Sequence, residues 1–203
     1  MSEKLLDAVN GCLSGIGEFP VDNLYSSHQD ASMALNVINR VRVQMLGRGW
    51  WFNREESWKI PLDPTTGEVT APLKAMSVLD FKAKPYLQLT LRGGKVYNVD
   101  EHTFDLTSIS TNGMVTLGFV IDVEFDDLPP TAQNAISLVA KRVYAQDMEV
   151  VQARWNFQVR DEEQAMANLY REDGRNLKKN QYRDSKILKD FQSRVMRGRV
   201  RPF

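Results

Sequence analysis

The hydrophobic repeat of this chain changes twice along its length. It runs at three- and four-residue spacing through the first fifty residues, alternates through the middle, and returns to helical spacing after residue 128. A helix and a half-buried strand place their apolar residues at incompatible periods, so one layer type cannot absorb the whole chain. The pattern predicts an α+β fold, mainly α: a four-helix bundle of two helix pairs, with a small antiparallel β-sheet or hairpin region inserted between them. The expected organisation is residues 1–56 and 128–173 as the helical domain, 57–127 as the β insertion, and 174–203 as an extended basic C-terminal tail.

The first helix is predicted over residues 2–17. Leu5, Leu6, Val9, Cys12, Leu13 and Ile16 share one face, Ser2 is the expected N-cap, and Gly15, Gly17 and Pro20 supply the stop. The second is predicted over 28–47, with Ala31, Ala34, Leu35, Ile38, Val41, Met45 and Leu46 as its apolar stripe. Ser27 and Asp30 form a weak capping box, and Gly47-Arg48-Gly49 ends the helix. The opposite face carries Asn36, Asn39, Arg40, Arg42 and Gln44. Trp50, Trp51, Phe52 and Trp58 follow closely. So concentrated an apolar load reads first as an anchor for the helix pair, and only second as a ligand-stacking platform.

Prolines and glycines then punctuate short alternating segments. Pro61, Pro64 and Gly67 mark a loop, and residues 76–81 are a candidate strand. Leu87, Leu89 and Leu91 alternate toward a tight turn at Arg92-Gly93-Gly94-Lys95, with Val96-Tyr97 starting the return strand. Residues 114–125 give the strongest strand pattern, with Val115, Leu117, Phe119, Ile121, Val123 and Phe125 in alternate register.

Pro129-Pro130 opens a third helix, whose apolar face is Ala132, Ala135, Ile136, Val139, Val143 and Tyr144. A fourth is expected from about Phe157, with Asp161-Glu162-Glu163 at or near the positive end of its dipole and Asp173-Gly174 closing it.

The chain has 203 residues and a formal net charge of zero, which hides a polarity. Residues 174–203 hold ten Lys/Arg against Asp184 and Asp190, a net of +8, so the remainder carries −8. A tail of this kind is expected to dock on something acidic, either nucleic acid or the body of a neighbouring copy; the alternative is a solvated tail. Its apolar residues are too sparse for a core of its own, which suits ordering on a partner.

The composition narrows the chemistry. One cysteine rules out an intramolecular disulfide framework and a cysteine-rich zinc site. His28 and His102 are the only histidines, too few for a site built on several imidazoles, and neither has surroundings that mark it as a ligand. No phosphate-binding, dinucleotide, zinc-protease or calcium-loop motif is present, and Gly-x-Ser-x-Gly is absent. Adjacent carboxylates such as Glu55/Glu56, Asp126/Asp127 and Glu162/Glu163 do not by themselves face across a cleft as a glycosidase requires. Cys12 lies on an apolar helix face and reads as a core residue. No catalytic, metal or cofactor-binding residue is therefore expected. No apolar run is long enough to span a membrane, and no signal peptide is visible.

Several stretches resemble one family. Ala8-Val9-Asn10, Ile16-Gly17-Glu18-Phe19-Pro20-Val21, then Ala34-Leu35, Ile38-Asn39 and Arg48-Gly49-Trp50-Trp51-Phe52-Asn53-Arg54-Glu55-Glu56 look like the opening of the tail tubular protein A family. These are head-to-tail adaptors of short-tailed phages of the T7 type. Arg92-Gly93-Gly94-Lys95-Val96-Tyr97 resembles the family's RGG-x-VY hairpin, and Asp127-Leu128-Pro129 its entry to the later helix pair. The resemblance runs in order through residues 8–145; the tail beyond 174 is not matched.

The resemblance implies a structural, non-enzymatic virion protein, present in the host cytoplasm during assembly. It implies a homo-oligomeric, dodecameric ring between the portal protein and the nozzle protein (tail tubular protein B), with tail fibres attached nearby. Genomic DNA passes through without sequence-specific binding. A ring of identical copies needs two different complementary surfaces on each. Candidate partner contacts are Arg183, Lys186, Phe191, Arg194, Arg197 and Arg199 in the tail, with Arg92 and Lys95 at the hairpin tip. The polar face over residues 36–44 is a candidate channel lining. Two other readings stay open: a virion-associated glycan hydrolase with a structural role, and a small DNA-binding module using the basic tail.

Overall fold

A computed structural model describes residues 3–24, 28–79, 87–148 and 152–184, with only the backbone described at 152–158 and 178–184. The order is α1 (Glu3–Ile16), α2 (Gln29–Leu46), β1 (Arg54–Pro61), β2 (Ala75–Val78), β3 (Leu89–Arg92), β4 (Lys95–Asn98), β5 (Met114–Ile121), α3 (Pro130–Asp147) and α4 (Gln152–Asp184). Single 3-10 turns stand at Thr107–Ile109 and Phe125–Asp127. The fold is mixed α+β.

The helices form where the spacing places them. α1 buries Ala8, Val9, Cys12 and Leu13. It ends because Gly17, at φ 90°, lets the chain reverse so that Glu18 N–H reaches back to Leu13 O at 3.0 Å. Asn10 then holds the departing chain, donating to Val21 O at 3.1 Å and accepting from Val21 N–H at 2.8 Å. Ser2 and Ser27, the expected caps, lie outside the described residues; His28 takes the N-cap position of α2 without a side-chain capping bond. All four helices contribute to one apolar cluster. It includes Val9 and Leu13 of α1, Ile38 and Leu46 of α2, Ile136 and Tyr144 of α3, and Leu169 of α4.

The middle of the chain builds a second cluster from Val69, Val96, Leu106, Ile109, Val115, Leu117 and Phe119. β5 is central in a three-stranded antiparallel sheet of order β1-β5-β2, and β3-β4 form a separate hairpin. The strand pattern expected over 114–125 stops at Ile121. Val123 and Phe125 leave the sheet, and Phe125 sinks into the helical cluster instead. The strand expected over 76–81 is β2, and residues 80–86 lie outside the described residues.

Two expectations are corrected. β1 occupies residues 54–61, where only an anchor and a loop were anticipated, and the seam expected between 56 and 57 falls inside it. Its hydrophobic pattern is weak because it is an edge strand with only Ile60 partly buried. A bulge between Glu55 and Trp58, with Ser57 at φ 67°, further breaks the alternation. The fourth helix begins at Gln152 and does not close at Gly174 but runs to Asp184, so the first eleven residues of the supposed extended tail are helical. Gly174 sits mid-helix, with nothing within 4 Å of where a Cβ would stand. A glycine there costs about 1 kcal/mol relative to alanine, which weakens a helix without ending it. The Asp161-Glu162-Glu163 run thus lies in the third turn, away from the positive end of the dipole.

Candidate partner-binding surfaces

α4 is held at a corner built by the tryptophan segment. Trp50 is buried and its ring lies 5.3 Å from that of Tyr170. The Arg48 guanidinium stands over both, 5.1 Å from the Trp50 centroid and 4.5 Å from that of Tyr170, and donates to the Tyr170 hydroxyl at 2.8 Å. Trp51 N–H donates to Asp173 Oδ1 at 3.0 Å. Trp58 stays partly exposed, its ring edge-on to Phe119 and its indole N–H on Glu55. The described tryptophans therefore anchor elements to one another.

α3 and α4 run antiparallel. Arg142 near the end of α3 pairs with Glu162, and Thr131 in its first turn donates to Glu172 at 2.6 Å. Residues after 172 therefore pass beyond the start of α3. A groove at this corner is lined by Thr131, Asn168, Arg171, Glu172, Arg175 and Asn176.

The predicted contact residues fare differently. Arg92 and Lys95 are register partners across the Gly93-Gly94 turn, whose φ values of 58° and 76° are the positive pair a two-residue hairpin needs. Neither cation is bare. Arg92 lies 3.8 Å over the Tyr97 ring, and Lys95 pairs with Glu68. Arg183 belongs to α4, but only its backbone is described. Lys186, Phe191, Arg194, Arg197 and Arg199 lie outside the described residues.

The polar face of α2 is only partly what its sequence implies. Asn36, Arg40 and Gln44 are exposed, and Arg40 reaches Asp147 at 3.4 Å. Arg42 is turned inward, where it binds Asp122, contacts Val123 O and stands 3.6 Å from Glu124. Lys74 completes the group, 2.8 Å from Glu124, which holds the Glu124 carboxyl below its ordinary range and the Lys74 ammonium above its own. Beside it sits Asn53, buried. Its amide donates to Leu46 O and Ile121 O at 3.0 Å each, and its oxygen accepts Trp50 N–H at 2.7 Å. Sequence reasoning passed over both residues as joints. Neither type carries a periodic signal, and both act through partners about seventy to eighty residues away.

Cys12 is fully buried, and burial pushes its thiol up to about 12, the opposite of what a nucleophile needs. His102 occupies an exposed turn at φ 53°. His28 has company that its sequence surroundings do not reveal: its ring lies with Glu18 and Asp30, their ligand atoms all within 4.8 Å of one another.

A family model described as tail tubular protein matches residues 6–179, from α1 into the overhanging part of α4. The chain belongs to the tail tubular protein family. Over 144 residues it is 29% identical to the tail tubular protein A of Klebsiella phage KP34, a match that spans 70% of this chain and 73% of that protein. As a tail tubular protein it is a structural component of the phage virion, in the tail. No described helix is long and apolar enough to cross a membrane.

Proposed function

We propose that this tail tubular protein is the head-to-tail adaptor. Copies assemble into a dodecameric ring between the portal protein and the nozzle protein, with tail fibres nearby. The ring secures tail assembly and lets the genome pass during ejection. The observation that carries this reading is the family match across residues 6–179, which takes in the helices, the β region and the start of the basic segment.

In this reading the helical part forms the ring, the β region that opens with β1 is an outward insertion, and the basic segment from residue 174, which begins as the end of α4, is the reaching extension. The charge distribution supports this division of labour, since a +8 extension and a −8 remainder can meet between copies or across a junction. DNA passage is favoured by weak attraction to phosphate. The inward turn of Arg42 and the Arg40–Asp147 pair both lower the positive charge that α2 offers on its exposed face. Arg183, Lys186, Phe191, Arg194, Arg197 and Arg199 are the proposed contacts to the neighbouring components, and Arg92 with Lys95 a second docking point.

Mixing the purified chain with portal rings, and then with nozzle protein, tests the proposal by electron microscopy. A new ring layer on the portal that recruits nozzle is expected, and deletion of residues 185–203 should abolish one of the two attachments. Failure to join either component overturns it. Release of reducing sugar from a surface glycan, or salt-steep DNA binding by a monomer, would favour the two other readings instead.

A further inference from the structure

We infer that Glu18, His28 and Asp30 form a divalent transition-metal site that closes the connection between α1 and α2. The three donors come from the two ends of that connection. Glu18 follows the helix-ending turn of α1, His28 is the residue before α2, and Asp30 lies in the first turn of α2. Their ligand atoms, a carboxylate oxygen from each acid and an imidazole nitrogen, all lie within 4.8 Å of one another.

Three observations argue for this partly exposed group as a site. First, although the His28 side chain is partly exposed, its Nδ1 atom is shielded and has no hydrogen-bond partner among the described residues; Asp30 Oδ2 lies 3.9 Å away. A sheltered nitrogen lone pair without a donor is a cost that a coordinated cation removes. Second, among the described residues, no lysine or arginine forms an ion pair with Glu18 or Asp30, although the two carboxylates converge. Third, the backbone under each acid is fixed from elsewhere. Glu18 N–H is bound to Leu13 O, and Asp30 O accepts the hydroxyl of the buried Tyr144. The donors therefore converge on a framework that exists without the metal.

The donor set selects the ion class. One imidazole with two carboxylates suits Zn²⁺ and its late first-row neighbours, and leaves an open coordination position. Donors around tetrahedral zinc lie about 3.4 Å apart, so the side chains need to draw in by roughly an ångström, well within rotamer adjustment. The positive end of α2 opposes a cation here, so the expected affinity is moderate, in roughly the micromolar range. Bound metal would join residue 18 to residue 28 and so fasten the loop in which Asn10 already holds Val21.

The test titrates Zn²⁺ into the untagged full-length chain after chelator treatment, with calorimetry and thermal unfolding as readouts. One equivalent should bind. At about ten times Kd the unfolding midpoint should rise by roughly 3–6 °C, while Mg²⁺ at the same concentration should not shift it. His28→Ala and Glu18→Gln should each weaken binding at least tenfold, whereas His102→Ala should not. Glu18 is exposed, so Glu18→Gln should leave the metal-free fold intact and keeps the test valid if His28→Ala fails to fold. The absence of a Zn²⁺-dependent shift in the wild-type chain, or an equal shift in Glu18→Gln, overturns the assignment.

Discussion

Arg42 on α2 and Asp122, the first residue past β5, meet as a two-point pair, Nη1 2.9 Å from Oδ1 and Nη2 3.4 Å from Oδ2. The Arg42 side chain is only 8% exposed, so this is a sheltered joint between the helical cluster and the sheet. It also explains why the strand pattern stops early. Asp122 is drawn to the guanidinium, and the chain turns there toward Phe125. Arg42→Ala leaves Asp122 facing a void without its counter-charge, and is expected to lose roughly 3–5 kcal/mol in urea unfolding. Arg42→Met combined with Asp122→Asn should recover part of that loss. A loss under about 1 kcal/mol for Arg42→Ala would show that the joint is not holding the two parts together.

Gly174 separates the two descriptions of the C-terminal region. In a continuous helix with open space at its Cβ position, Gly174→Ala should stabilise α4 by about 1 kcal/mol and raise its helical circular dichroism. At a helix-ending glycine of left-handed conformation the same substitution would destabilise. Gly49→Ala is the contrasting control. Gly49 has φ +75° and its added Cβ would stand 2.9 Å from Val120, so a loss of about 1–2 kcal/mol is expected.

Asn53 satisfies three buried backbone groups at the junction of α2, β1 and β5. Asn53→Ala orphans Trp50 N–H together with the carbonyls of Leu46 and Ile121. The expected cost is roughly 2–4 kcal/mol by chemical denaturation, and Asn53→Asp should be as damaging because a carboxylate cannot donate to the two carbonyls.

Cys12 gives a pH signature. The unfolded thiol releases its proton near 9.0, while the folded one keeps it until about 12. Between those values the folded state binds more protons than the unfolded state, so stability falls as pH rises. Tyr144, pushed up to about 12 by burial, adds loss of the same sign above pH 10. Cys12→Ala should flatten the stability–pH slope between pH 9 and 10, read as unfolding midpoints. The native wild-type thiol should react with a thiol reagent far more slowly than the urea-unfolded chain.

What the sequence discloses follows from physical locality. α1, α2 and α3 are legible because their apolar spacing is regular and glycine or proline marks at least one end of each. The β3-β4 hairpin is legible because its turn demands positive φ and Gly93-Gly94 supplies it. β1 is hidden because an exposed edge strand with a bulge has no alternation to read. The end of α4 is misjudged because a glycine is only a weak penalty. The partner candidates divide similarly. Arg92 and Lys95 are found at the expected tip, yet their partners Tyr97 and Glu68 could not be assigned from spacing alone. Glu18 and His28 come together from the two ends of the α1–α2 connection, a closure that helical periodicity does not encode.

The stretch of α4 beyond Glu172 has a mechanical meaning. Twelve further helical residues extend about 18 Å past the first turn of α3. A rod of that length, held at Tyr170 and Asp173, would turn a sideways force applied beyond Glu172 into torque on the Trp50–Trp51 corner. A load on this segment would thus be felt where the helices give way to the sheet.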